Sequence, residues 1–201
     1  MTDLPRGRLE RGLRAATSRR VADARAERRA AVVLVVRPPG ADGEEGQQAL
    51  FVRRAEVDGD PWSGHTALPG GHRAAGDEDL VATALRELRE ETDLVVPRGD
   101  VLGRLDELHP RNRSLPSVAV TPFVAWHPGR GRIHTNREVT GHLWIPLADL
   151  EAPEHRSTLT FRRGGAFHAF PTIQYGGHTI WGLTYLVVER FLDAMRRERR
   201  R

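Results

Sequence analysis

The feature that most constrains this 201-residue chain is the unbroken apolar run at residues 30–36, rich in valine. A continuous apolar stretch of strand length, with no polar residue on either alternating face, reads as a buried strand. It falls far short of the roughly 20 apolar residues that cross a bilayer, so no membrane contact is expected. No basic start followed by an apolar stretch precedes it, so no secretory leader is expected either.

Further strands are expected at residues 49–55, 66–68, 101–108, 118–126 and 142–145, and then at 158–162, 166–170, 172–175 and 178–180. Gly176-Gly177 between the last two suits a hairpin turn. Helices are expected at 79–91, with Asp77 placed to cap the first turn, and at 181–195. Strands, one central helix, more strands and a last helix predict an α/β (α+β) layered domain.

Residues 1–29 form a helical extension in this reading, with Leu9, Leu13 and Ala16 at helical spacing, lying on the domain or on a partner. Residues 30–195 make up the single domain, and 196–201 an Arg-rich tail.

Composition excludes several chemistries. The chain has no cysteine, which removes disulfide scaffolds, thiolate zinc sites, iron–sulfur clusters and cysteine nucleophiles, and fits a reducing cytoplasm. All 31 basic residues are arginine, so the pI of about 10.7 accompanies a net charge of only +4. The arginine clusters at 19–29 and 196–201 lack interleaved aromatics, so nucleic acid is not an expected partner. No Gly-x-Ser-x-Gly elbow or P-loop occurs, which argues against serine hydrolases and P-loop NTPases.

Chemistry concentrates in residues 68–94, LPGGHRAAGDEDLVATALRELREETDL. On a helix, Glu90 lies about 60° to one side of Glu87 and Glu91 about 40° to the other. Three carboxylates on one narrow face repel one another and call for compensation, for which a hard divalent cation with oxygen ligands is suited. The preceding Gly70 and Gly71 allow a backbone carbonyl to approach a metal or phosphate closely.

The segment resembles the Nudix box, Gly-x5-Glu-x7-Arg-Glu-U-x-Glu-Glu-x-Gly-U, in which U is bulky and apolar. Glu78 and the run Arg86-Glu87-Leu88-Arg89-Glu90-Glu91 match its second half, while the Gly71–Glu78 spacing is one residue longer and Asp93 replaces the closing glycine. Thr83-Ala84-Leu85-Arg86-Glu87 is similar to the coenzyme A pyrophosphatase branch. So are the upstream Leu50–Ala55 and the turn Leu68-Pro69-Gly70-Gly71.

The resemblance implies a Nudix-type α/β/α sandwich with a mixed central sheet, hydrolysing a nucleoside diphosphate-type substrate with Mg²⁺ or Mn²⁺. It implies metal ligation by Glu87, Glu90 and Glu91 with the backbone carbonyl of Gly70 or Gly71, and support of the box by Glu78 binding Arg86. Glu87 and Glu90 would also serve catalysis, with Glu138 the candidate general base. Arg54, Trp62 and His65 are expected to contact substrate, and a homodimer is a family expectation. The box is common to hydrolases of coenzyme A, ADP-ribose, dinucleoside polyphosphates and nucleoside triphosphates, and to a non-catalytic nucleotide- or RNA-binding module. All of these stay open.

Overall fold

The structure, a computed structural model, describes residues 3–16, 28–40, 45–56, 64–109, 117–128, 131–163 and 166–201. After helix α1 (Arg6–Ala15) the chain enters β1 (Arg28–Arg37), β2 (Gln48–Arg54), β3 (Thr66–Ala67) and β4 (Gly70–His72). Helix α2 (Leu80–Thr92) follows, then β5 (Val101–Arg104), β6 (Val118–Trp126), β7 (Val139–Pro146) and the short α3 (Leu147–Glu151). The hairpin β8 (Arg156–Arg163) and β9 (Ala166–Tyr175), the short β10 (His178–Ile180) and α4 (Gly182–Arg199) complete it.

The apolar run of β1 lies at the centre. It pairs in parallel with β6 over its whole length, while its other edge is shared antiparallel by β4 near its start and β2 near its end. β7 extends the sheet beyond β2, and β5 beyond β6, so the seven-stranded sheet is mixed. β8, β9 and β10 form a separate antiparallel sheet.

Side chains of β1 divide with a period of two. Ala31, Val33 and Val35 pack with Leu50, Ala84 and Leu88 beneath α2. Leu34 and Val36 pack with Phe51, Leu9, Leu13, Phe191 and Leu192 on the opposite face, beneath α1 and α4. Helices on both faces of one sheet make the expected α/β/α sandwich.

Helix α1 lies on the domain. Leu9 is wholly buried, and a Cβ at Gly12 would stand 2.8 Å from Met195 Cε, so the two helices touch at backbone range. Arg8 and Arg11 both pair with the buried Glu198 of α4. Helix α4 runs four residues past the expected end at 195, because Arg196 and Arg199 both reach Glu151, at 2.7 and 3.2 Å. Cations in a last turn also face the negative end of the helix dipole.

The strands expected separately at 166–170 and 172–175 are one strand. Pro171 lies opposite Thr158 and beyond the end of β10, an edge position where a residue without N–H is tolerated. The cap of α2 is Asp79, whose Oδ1 accepts the Ala82 N–H at 2.9 Å, and not Asp77 as expected.

Candidate active site

The chain leaves β3, which pairs with β2, and crosses at Pro69 to β4, which pairs with β1. A Cβ at Gly70 would meet the backbone oxygen of Ala31 at 2.3 Å, so only glycine fits this crossing. At Gly71 a Cβ would lie 2.5 Å from the Glu87 carboxylate. The Gly-Gly turn is thus a cradle in which helix carboxylates rest directly on backbone.

Asp77 locks the turn to the helix. Its carboxylate accepts from Ala74 N, Thr83 Oγ1, and Arg86 Nε and Nη2, at 2.8, 2.9, 2.9 and 3.0 Å. These donors, Arg86 foremost, hold it far below the usual carboxylate range. Arg86 also donates to the His72 carbonyl at 3.1 Å. The support expected of Glu78 is therefore supplied by Asp77, and Glu78 is exposed, with its backbone carbonyl accepting from Arg73. The longer spacing explains the change, since five residues after Gly71 the next position is Asp77 and not Glu78.

The three helix glutamates have different environments. Arg86 Nη1 sits between Glu87 Oε1 and Glu90 Oε2, at 2.9 and 3.0 Å, and so offsets their repulsion. Glu90 is 53% exposed. Burial pushes the Glu87 carboxyl up, Arg86 opposes this, and Glu90 and Glu138 add to it. Glu91 is only 4% exposed, and its Oε2 accepts the Gly70 N–H at 3.0 Å. Burial raises its pKa to about 7; the Gly70 bond and Arg54 pull it down, while Glu87 and Glu138 push it further up.

Glu138, before β7, is held by its backbone. Its N–H donates to Asn136 Oδ1 and its carbonyl accepts from Ala55, both at 2.8 Å. Arg54 ends β2 opposite Val139, and its N–H donates to the His65 carbonyl at 3.0 Å. His65 meets Trp181 edge-on, with ring centroids 4.8 Å apart. Trp181 in turn stands edge-on to Phe161 and Phe170 of the β8–β9 hairpin, a set of aromatics the sequence pattern left unassigned. Trp62 lies outside the described residues.

Glu87, Glu91, Arg54, Glu138, Gly70 and Gly71 are therefore gathered where α2 crosses the glycine turn, with Glu90 at the rim. Among the described residues no three acidic or histidine side chains converge as a ready ligand set. Arg86 lies between Glu87 and Glu90, and Glu91 turns to Gly70.

A mixed sheet between helices, with a glutamate-rich helix behind a Gly-Gly turn, defines a class of α/β/α sandwich. Within that class the chain belongs to the Nudix family, for residues 27–162 match the NUDIX domain. It is 33% identical over 139 residues to the human mitochondrial coenzyme A diphosphatase NUDT8, covering 66% of this chain and 56% of that protein. It is 35% identical over 129 residues to the uncharacterized Nudix hydrolase NudL of Yersinia enterocolitica, covering 64% of each. The chain thus spans less than two thirds of the length of these relatives.

The fold is similar to the crystal structure of a MutT/nudix family protein from Enterococcus faecalis, with a TM-score of 0.56 and 16% identity over 89% of this chain and 64% of that one. A MutT NUDIX hydrolase from Burkholderia pseudomallei gives 0.51 and 16% over 81% and 96%.

Proposed function

We propose that this chain is a divalent-cation-dependent pyrophosphohydrolase that cleaves the diphosphate of coenzyme A or its thioesters, giving a phosphopantetheine product and 3′,5′-ADP. The observation that carries this reading is that the Glu87 carboxylate rests on Gly71 and Glu91 accepts the Gly70 N–H, with Glu138 within electrostatic reach of both. Support for coenzyme A comes from the upstream Leu50–Ala55 signature and from the relative named as a coenzyme A diphosphatase.

The donors fit Mg²⁺ or Mn²⁺. They are all oxygens, and the cradle at Gly71 exists only because no Cβ fills it. Glu87, Glu90 and Glu91 with a carbonyl of Gly70 or Gly71 would hold the ion, which when bound neutralises phosphate charge and acidifies water. Glu138 takes the proton of the attacking water, its backbone held in position by the Ala55 N–H and the Asn136 side chain. Arg54 and His65, linked through backbone at the end of β2, orient the substrate, with Trp62 a further contact. Asp77 and Arg86 fix the helix against the turn.

The test is a substrate panel with Mg²⁺ or Mn²⁺, resolved by mass, alongside Glu91→Gln and Glu138→Gln. Preferred cleavage of coenzyme A, lost in both variants, is expected. Faster turnover of ADP-ribose, a dinucleoside polyphosphate or a nucleoside triphosphate would replace the substrate. Nucleotide binding without turnover of any would replace the enzyme with a binding module.

A further inference from the structure

Asp93 breaks two local rules at once. It stands where the box has its closing glycine, at a φ of 60°, the left-handed conformation that glycine adopts without steric penalty. Among the described residues no other non-glycine has a positive φ. It also sets a carboxylate at the C-terminus of α2, facing the negative end of the helix dipole. The helix needs no side chain there, because the cap bond runs from the Asp93 N–H to the Arg89 carbonyl and glycine would make it equally well. What the carboxylate meets is His134, whose Nδ1 lies 3.3 Å from Asp93 Oδ2. A carboxylate only accepts, so Nδ1 carries the proton and donates.

His134 belongs to the segment that carries Glu138. Residues 131–138 run from the end of α2 to the start of β7 and are anchored at both places. At the α2 end, Ile133 packs on the cluster that holds Leu88 and Leu94, and the His134 N–H donates to the Thr92 carbonyl at 3.1 Å. At the β7 end, Asn136 accepts the Glu138 N–H through Oδ1 and the Val139 N–H through its carbonyl, and the Glu138 carbonyl accepts from Ala55. Thr135 alone lies between the anchored His134 and this turn. A displacement of His134 therefore passes to Glu138 with little slack.

We infer that Asp93 is a positioning residue: through His134 it ties the segment to α2 and so sets where Glu138 stands relative to Glu87 and Glu91. The helix that carries the three glutamates is thereby joined to the loop that carries the base. The Thr92 bond and the Ile133 packing hold the segment whatever stands at position 93, and the ring contact adds the constraint on His134 itself. Asp93 and His134 are 64% and 69% exposed, so the effect on rate is severalfold and not thousandfold. This inference rests on the reading of Glu138 as the base and deepens it.

The test compares Asp93→Gly, Asp93→Asn and His134→Ala in the full chain, with kcat taken on coenzyme A or on whichever substrate the panel identifies. Glycine suits the left-handed backbone better than aspartate, so Asp93→Gly should melt at the same temperature as the unaltered chain or higher. Its kcat should nevertheless fall about three- to tenfold with KM unchanged. A residue that only capped the helix would keep stability and turnover together. Asp93→Asn tolerates the same φ and offers an oxygen to His134, so it should recover most of the lost rate. His134→Ala should lower kcat by the same factor, and the double variant no further. Amide hydrogen exchange at Glu138 and Val139 should quicken severalfold in Asp93→Gly and not in Asp93→Asn.

Full kcat in Asp93→Gly beside an impaired Glu138→Gln, additive losses in the double variant, or unchanged exchange at these two amides would each overturn the inference. Exchange needs no substrate. If Glu138→Gln keeps full turnover while exchange still responds to Asp93→Gly, the base assignment fails and the tie through His134 stands.

Discussion

Asp77 and Arg86 are joined by two parallel hydrogen bonds, at 2.9 and 3.0 Å, that clamp the glycine turn to the helix carrying the three glutamates. The pair is partly buried, with the Asp77 side chain only 6% exposed. Breaking one side of such a pair leaves the other charge uncompensated.

Asp77→Ala should therefore cost about 3 kcal/mol of stability, and Glu78→Ala less than about 0.5 kcal/mol. Urea unfolding of the two variants checks this. Equal losses would show that Asp77 does not carry the support. Because Asp77 is depressed from 3.8, its contribution is present above that value and lost as pH falls through its folded pKa. The gap between Asp77→Ala and the unaltered chain should accordingly close in strong acid.

Glu91 behaves in the opposite sense. Its folded pKa is raised to about 7, so the folded state favours the protonated form. The protonated group's advantage is complete below the unfolded value of about 4.5 and vanishes as pH rises through 7. Glu91→Gln should gain about 1–2 kcal/mol on the unaltered chain between pH 5 and pH 8, in melts run with a chelator. It should also lose cleavage by about a thousandfold, as expected when a group acting directly on the reacting centre is removed. A constant stability difference across pH would contradict the burial of the Glu91 charge.

Gly71→Ala and Gly70→Ala should fail for different reasons. The first places a methyl against the Glu87 carboxylate, which can rotate away, so the fold should survive while activity falls about a hundredfold. The second meets the Ala31 and Val32 backbone, which cannot give, and should cost about 3 kcal/mol or more. Denaturation and turnover measured together separate the two.

Leu9→Ala tests whether α1 is part of the domain. Leu9 is wholly buried in the cluster shared with α4, and its truncation should cost about 3 kcal/mol. A loss below about 0.5 kcal/mol would mean that the helix is dispensable to the core.

Much of this architecture was legible in local pattern. The run at 30–36 could only be a buried strand, and its alternate side chains do serve two cores. The helical spacing of Glu87, Glu90 and Glu91 and the two glycines before them located the candidate site, because both are properties of adjacent residues.

What local pattern could not supply was the third dimension of each contact. Motif counting assigned the support of Arg86 to Glu78, whereas the path of the turn brings Asp77 to it. Repulsion among the glutamates suggested a cation, whereas the fold first answers it with Arg86 from the same helix. Residues 6–15 and 196–199 looked like appendages in sequence and are joined to the core through Glu198 and Glu151. The cavity between the end of α2 and β7 draws Arg37, Arg132 and Trp144 from distant parts of the chain, and no spacing rule links them. Periodicity determines which face a side chain occupies within its own element; which elements meet, and so what that face touches, depends on packing across the sheet.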